Sequence, residues 1–125
     1  MKYLGVDFGL RRIGLATSEG ELASPWQILE VKSFSDALTK VSKVISEGKF
    51  DKIVVGLPEG KMGKNVVGFV KVLRKQDFEV ETFEETLSSK RALEAMLEQG
   101  VPQKKRRHED AYSAAEILQN YLDNL

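Results

Sequence analysis

Carboxylates occur at three points of this sequence where a folded chain could bring them together. Asp7 ends a short apolar run, the adjacent acids Glu84-Glu85 end another, and Asp110 opens a stretch with helical periodicity. Gly9, two residues after Asp7, lacks the Cβ that would keep a phosphate from the backbone. Taken singly, these acids fit a turn, a helix dipole and a helix cap. Two strand ends and a helix start can nevertheless converge on one edge of a sheet.

Converging carboxylates suit divalent metal chemistry. Mg²⁺ or Mn²⁺ accept oxygen ligands and keep waters for a substrate phosphate. Two such ions about 3.5–4 Å apart can activate water on one side of a phosphodiester and stabilise the leaving oxygen on the other. Successive strand residues point to opposite faces, so only one of Glu84 and Glu85 is expected at the site. The residues therefore predict a two-ion site that includes Asp7, Asp110 and one of these glutamates.

Basic side chains lie near two of the acids in sequence and beside a glycine-containing loop. We predict that they bind nucleic acid: Arg11, Arg12, Lys61, Lys64, Lys104, Lys105, Arg106 and Arg107. Contacts of this kind hold a phosphate backbone without reading its sequence. The alternative for the run at 104–107 is a solvated loop. His108, two residues before Asp110, could assist proton transfer, although a lone loop histidine is more often just exposed.

Composition narrows the function classes. The 125 residues carry 19 basic and 19 acidic side chains, a formal charge of +0, so a polyanion site must be a local patch. There is no Cys and one His, which excludes a thiol nucleophile and the usual Cys/His zinc shell. The length predicts a single domain over 1–125. Without a signal-peptide core or a long apolar run, the chain is expected to be cytoplasmic with no membrane partner.

Hydrophobic periodicity predicts the elements that position these residues. Strands are expected at 3–8, 12–17, 22–31, 52–57 and 78–83, the first three as an antiparallel meander and the last two parallel to the first, since helices precede them. Pro25 suggests an irregular or edge position, and Trp26 and the phenylalanines are expected in the core. The result is an α/β fold with a mixed five-stranded sheet flanked by helices.

Four helices are predicted from apolar spacing. The first carries Ala37, Val41 and Ile45 on one face, with Ser35 as its cap, and Gly48 ends it. The second is marked by the apolar residues at 66, 69, 70 and 73, the third by those at 92, 93, 96 and 97, and the last by a stripe from Ala111 to Leu125.

Four sequence blocks together resemble the YqgF/RuvX family. They are DFGLRRIGLA from Asp7, VVGLP from Val54, EETLSS from Glu84 and DAYSAAEILQNYL from Asp110, in the family's order over nearly the whole chain. The resemblance implies an RNase H-like fold and a metal-dependent nuclease that uses Mg²⁺ or Mn²⁺. Its implied substrate is pre-16S rRNA, with Holliday junction DNA as the alternative.

By motif position, the resemblance assigns catalysis and metal binding to Asp7, Glu85 and Asp110, with Glu84 as the alternative ligand. The chain departs from the family pattern twice. Asp-Glu-Arg is replaced by Glu84-Glu85-Thr86, which removes an arginine, and the usual Asn-Met-Asp-Gly after Gly-Leu-Pro is replaced from Glu59 onward by EGKMG.

Other functions remain open at this point. Junction resolution would need two copies of the site, and we expect a monomer or weak homodimer. The D-x-G signal also opens actin-like ATP-binding folds, but those need two such domains. A non-catalytic RNA-binding factor for ribosome assembly is a third possibility, which an EDTA-insensitive, non-cleaving protein would support.

Overall fold

A mixed sheet organises the part of the chain that the computed structural model describes, namely residues 1–58, 60–84 and 109–125, with only the backbone described at 109 and 110. The strands are β1 (Tyr3–Asp7), β2 (Arg12–Ser18), β3 (Ala23–Glu30), β4 (Lys52–Leu57) and β5 (Val80–Glu84). Their spatial order is β3-β2-β1-β4-β5. The first three strands are antiparallel, and β4 and β5 run parallel to β1. The predicted mixed five-stranded sheet is confirmed.

The described helices are α1 (Phe34–Gly48), α2 (Met62–Lys75) and α3 (Glu109–Asp123). The apolar stripes of α1 and α2 pack on one face of the sheet, and α3 packs on the other. These helices match three of the four predicted ones. The remaining prediction, with its apolar side chains at 92–97, lies outside the described residues.

Strand alternation divides the core into two clusters. In β1, Leu4 and Val6 point toward α1 and α2, whereas Tyr3 points toward α3. In β4, Ile53 and Val55 take the first side and Val54 takes the second. The clusters share the sheet but no side chain, because successive residues of a strand face opposite sides.

The cap of α1 differs from the prediction. Ser33 is the N-cap, with extended backbone (φ −160°, ψ 170°), and its Oγ accepts a hydrogen bond of 3.0 Å from the Asp36 amide. The predicted cap, Ser35, already lies inside the helix. Only the residue that precedes the helical backbone can turn its side chain back to the free amides, and that residue is Ser33.

The prediction that Trp26 belongs to the core is wrong, because 47% of its surface is exposed. It lies on β3, an edge strand, at an irregularity where Leu15 pairs with Gln27 and Ala16 with Pro25. Trp26 is therefore the extra residue of a bulge, which the expected irregularity at Pro25 anticipated. Phe8 and Phe69 are buried as expected, whereas Phe34 is 39% exposed.

Candidate functional site

Asp7 is the last residue of β1, the central strand of the sheet, and its side chain is half-buried. Alternate residues of a strand face the same side of the sheet, so Asp7 faces the same side as Tyr3 and Gly5, which both contact α3. Asp7 thus lies on the α3 face, where β1 ends. Strands β4 and β5 end at the same edge because they run parallel to β1. We call this edge, with the loops that follow these strands, the carboxyl edge.

Glycines flank Asp7 on both neighbouring strands. Gly14 of β2 pairs with Asp7. On β4, Val55 pairs with Val6, and the next position along the strand is Gly56. Neither glycine has a side chain that could stand beside the Asp7 carboxylate on the α3 face. The two neighbouring strands therefore contribute no side chain beside Asp7 on this face.

Gly9 is required by the turn that follows β1. A Cβ at this position would lie 2.4 Å from the carbonyl oxygen of Arg12, closer than any real contact allows. The backbone therefore folds tightly from Asp7 into β2 only with glycine here. The missing Cβ therefore makes room for the chain's own turn, and the approach of a phosphate to this backbone stays a prediction.

The direction of α3 brings its first residues to the carboxyl edge. The Tyr3 and Tyr121 rings have centroids 6.2 Å apart, and Gly5 lies against Leu118 and Ala114. The strand β1 and the helix α3 thus run in opposite directions where they pack together, and the start of α3 lies toward Asp7. Asp110 is the second residue of that helix. The backbone of Asp110 and the end of β1 lie at the same end of the α3–sheet interface.

The sequence did not single out Gly5, although glycine inside a strand often marks close approach of another backbone. A Cβ at Gly5 would lie 2.8 Å from the Leu118 Cβ and 2.9 Å from the Ala114 carbonyl oxygen. The axis of α3 therefore approaches β1 more closely than any larger residue would allow.

Glu84 lies on the opposite face of the sheet from Asp7. It pairs with Leu57 and faces the same side of β5 as Val80. Both of these residues pack in the α1–α2 cluster, the core cluster between the sheet and helices α1 and α2. The Glu84 side chain is exposed. The other candidate, Glu85, lies outside the described residues.

No three acidic or histidine side chains within the described ranges form a group that could hold a metal ion. The side chains of Glu85 and Asp110, two of the three predicted ligands, lie outside these ranges. Of these three ligands, Asp7 has a described side chain, and so has the alternative ligand Glu84.

Half of the predicted nucleic-acid contacts are described, and all four are exposed: Arg11, Arg12, Lys61 and Lys64. Arg11 and Arg12 lie where the chain turns from β1 into β2, and the two lysines follow β4. All four lie at the carboxyl edge. Lys64 also lines an apolar groove of about 420 Å³ formed by Leu57, Pro58 and Val67 with two glycines. The run at 104–107 and His108 lie outside the described residues.

A polar cluster holds the other end of α3. The Tyr121 hydroxyl donates a hydrogen bond to the Glu81 carboxylate, and the Lys52 ammonium lies 3.8 Å from the same carboxylate. Burial, together with the bond to Glu81, raises the pKa of Tyr121. The pKa of Lys52 is raised, chiefly by its hydrogen bond to Tyr121. The sequence analysis does not predict this cluster. It joins two strands to a helix far along the chain, and no local sequence pattern indicates such a contact.

A larger cavity, of about 850 Å³, lies at the opposite edge of the sheet and contains none of the predicted site residues. Its walls include Trp26 and Phe50, whose ring centroids are 5.9 Å apart, and Lys2, whose Nζ lies 4.8 Å from the Phe50 centroid.

Among the described helices, none combines the length and the apolar composition that a membrane-spanning helix needs.

Comparison with known sequences gives consistent matches. The family model RuvX, described as Holliday junction resolvase, matches residues 1–124. A protein of Sulfurimonas denitrificans named pre-16S rRNA nuclease is 36% identical, over 98% of this chain and 97% of its own. A protein of Natranaerobius thermophilus with the same name is 33% identical, over 98% and 94%.

Solved structures share the fold at low sequence identity. Thermus thermophilus RuvC aligns with a TM-score of 0.63 and 15% identity, over 99% of this chain and 96% of that one. The fowlpox virus resolvase in complex with Holliday junction DNA aligns with a TM-score of 0.69 and 11% identity, over 99% and 98%. The sheet is therefore of the RuvC-like, RNase H type.

Proposed function

Because the chain belongs to the RuvX family of nucleases, we propose that it cleaves structured RNA, the precursor of 16S rRNA, at a site on the carboxyl edge. Asp7, Glu85 and Asp110 would hold two Mg²⁺ or Mn²⁺ ions there. One observation carries the proposal: Asp7 ends the central strand on the face covered by α3, at the edge where that helix begins.

The residues at this edge fit divalent ions by their chemistry. Carboxylate oxygens are the ligands that Mg²⁺ and Mn²⁺ prefer, and the absence of Cys leaves oxygen as the natural donor. When bound, a pair of such ions activates water and stabilises the leaving oxygen. The position of Asp7 is well fixed, since Gly14 of β2 pairs with it and Val55 of β4 pairs with the preceding Val6. The flanking Gly14 and Gly56 leave room beside the carboxylate for a phosphate.

We favour Glu85 over Glu84 as the third ligand. Glu84 lies on the α1–α2 face, on the wrong side of the sheet from Asp7. Glu84 is thus the less suitable of the two adjacent acids, and we propose Glu85, the acid that the resemblance also assigns.

Exposed cations at the carboxyl edge suit a phosphate backbone. Arg11, Arg12, Lys61 and Lys64 would bind phosphates around the cut site, and the run at 104–107 would add to them. Such contacts release counterions, so binding would weaken steeply with salt. We expect this reaction in the cytoplasm, with the protein acting as a monomer or weak homodimer.

Resolution of a DNA junction is the second candidate. The family description and the junction-bound fowlpox resolvase favour it. Two symmetric cuts would require two copies of the carboxyl edge, and hence a dimer on the junction.

The test compares two aspartate-to-asparagine variants on both substrates. The full chain is incubated with a precursor 16S rRNA fragment or a four-way DNA junction, in Mg²⁺, in Mn²⁺ or in EDTA. Asp7→Asn should reduce cleavage by more than about 100-fold, while the protein still binds the nucleic acid. This loss exceeds the usual effect of changing a residue that only supports a metal ligand. Asp77→Asn makes the same chemical change at an exposed position between α2 and β5 and should cleave at the wild-type rate.

Each alternative outcome has a distinct meaning. Wild-type cleavage by Asp7→Asn would refute the site assignment, and cleavage that persists in EDTA would refute the metal ions. Cleavage of the junction but not the RNA would replace the first substrate with the second.

A further inference from the structure

We propose that Gly5 is a positioning residue for the metal site, because it sets how closely α3 lies on β1 and thereby where Asp110 stands relative to Asp7. The inference rests on the proposed function of these two acids. It concerns a residue that would touch neither ion nor substrate.

The contact at Gly5 leaves no room for a side chain. A Cβ would lie 2.8 Å from the Leu118 Cβ and 2.9 Å from the Ala114 carbonyl oxygen. Ordinary van der Waals contact begins at 3.4 Å, so α3 would have to move away by about half an ångström. Neither atom can rotate aside, since one belongs to the helix backbone and the other is fixed directly to it. Leu118 and Ala114 are also completely buried.

The C-terminal half of α3 is held in place and cannot simply follow. The Gln119 amide accepts a 2.9 Å bond from the Ala23 backbone and donates a 3.0 Å bond to the Glu21 carbonyl. Tyr121 bonds to Glu81. A wedge at Gly5 would therefore tilt the helix about these anchors, and the first turn, which lies farthest from them, would move the most.

The first turn of α3 carries Asp110. From Ala114 to Asp110 is four residues, or about 6 Å along the helix. Displacement there would be at least as large as at the wedge itself. Metal–ligand distances tolerate only about 0.2 Å, so a shift of this size would weaken ion binding even in a folded protein.

The experiment measures Mn²⁺ affinity by calorimetry or electron paramagnetic resonance on the full chain. Gly5→Ala inserts the wedge from the strand. Ala114→Ser inserts a single oxygen from the helix and decides the question if Gly5→Ala does not fold. Val41→Ala, at a fully buried position of α1 in the opposite cluster, is the control for lost stability. Urea unfolding establishes that each variant is folded during the titration.

We expect Gly5→Ala to bind Mn²⁺ about tenfold more weakly or worse, in the range of other changes that misplace metal ligands. Ala114→Ser should bind several-fold more weakly, and Val41→Ala should bind like the wild type despite its lower stability. Wild-type affinity in a folded Gly5→Ala or Ala114→Ser protein would overturn the inference. An Asp7→Asn protein that binds Mn²⁺ like the wild type would instead overturn the proposed function.

Discussion

The two faces of the sheet are built in different ways. Toward α1 and α2 the core is made of large apolar side chains, with Phe69, Leu4, Ile13 and Leu73 completely buried. Toward α3 the strands add the small residues Gly5 and Ala16 to Tyr3 and Val54, and the buried residues of α3 include Ala114 as well as Ile117 and Leu118. Both faces bury apolar side chains, and the α3 face also brings a helix backbone close to a strand at Gly5.

Polar contacts sharpen this difference. The side chain of Gln119 on α3 bonds to the β2–β3 connection and to the first residue of β3, and that of Tyr121 bonds to β5. Apolar packing is strong but has little directional preference, whereas close backbone contact and hydrogen bonds fix a position. The α1–α2 face therefore mainly stabilises the fold, while the α3 face fixes where the helix that carries Asp110 begins.

The strongest test of the stabilising face is Phe69→Ala. Phe69 is completely buried, and its ring centroid lies 4.8 Å from that of Phe8 and 6.4 Å from that of Phe34. Its removal leaves a cavity, so we expect the free energy of unfolding in urea to fall by about 3–5 kcal/mol. The Mn²⁺ affinity of the folded protein should not change. A Mn²⁺ affinity that falls along with stability would contradict the division of roles.

A smaller effect is expected from Tyr121→Phe on the α3 face. The variant removes the hydroxyl that bonds to Glu81 and should cost about 1–3 kcal/mol of stability at neutral pH. Because the pKa of Tyr121 is raised in the folded chain, the unfolded chain loses this proton first as the pH rises. The stabilising contribution is thus present below the normal pKa near 10 and is lost as the pH rises through the folded value.

Urea unfolding from pH 8 to 10.5 measures this dependence. The wild type should lose stability as the pH approaches the top of that range, and Tyr121→Phe should lose less. Equal alkaline losses in both proteins would show that another group, such as Lys52, causes the effect.

Local patterns were sufficient for the strands and helices that the structure describes. Alternation and apolar runs located β1, β2 and β4 to within a residue, and the helices that precede β4 and β5 correctly implied parallel strands. Those signals depend on neighbours along the chain. The placement of Asp7 at a strand end and Asp110 at a helix start followed from the same signals.

Features set by distant contacts were beyond local patterns. Trp26 is exposed because β3 is an edge strand with a bulge, and its residue type alone favoured burial. The role of Gly5 depends on Leu118 and Ala114, more than a hundred residues away. Glu84 could be assigned to a face only once its pairing with Leu57 was known.

We propose above that Asp7 and Asp110 share divalent ions at the carboxyl edge. A crystal structure of the full chain soaked in Mn²⁺, with anomalous scattering to locate the metal, tests it directly. We expect Mn²⁺ bound between the Asp7 and Asp110 carboxylates, with oxygen ligands at about 2.0–2.2 Å, near the Mg²⁺ and carboxylate distances in other sites. Carboxylates too far apart to reach a common pair of ions, or manganese bound only elsewhere, would contradict it.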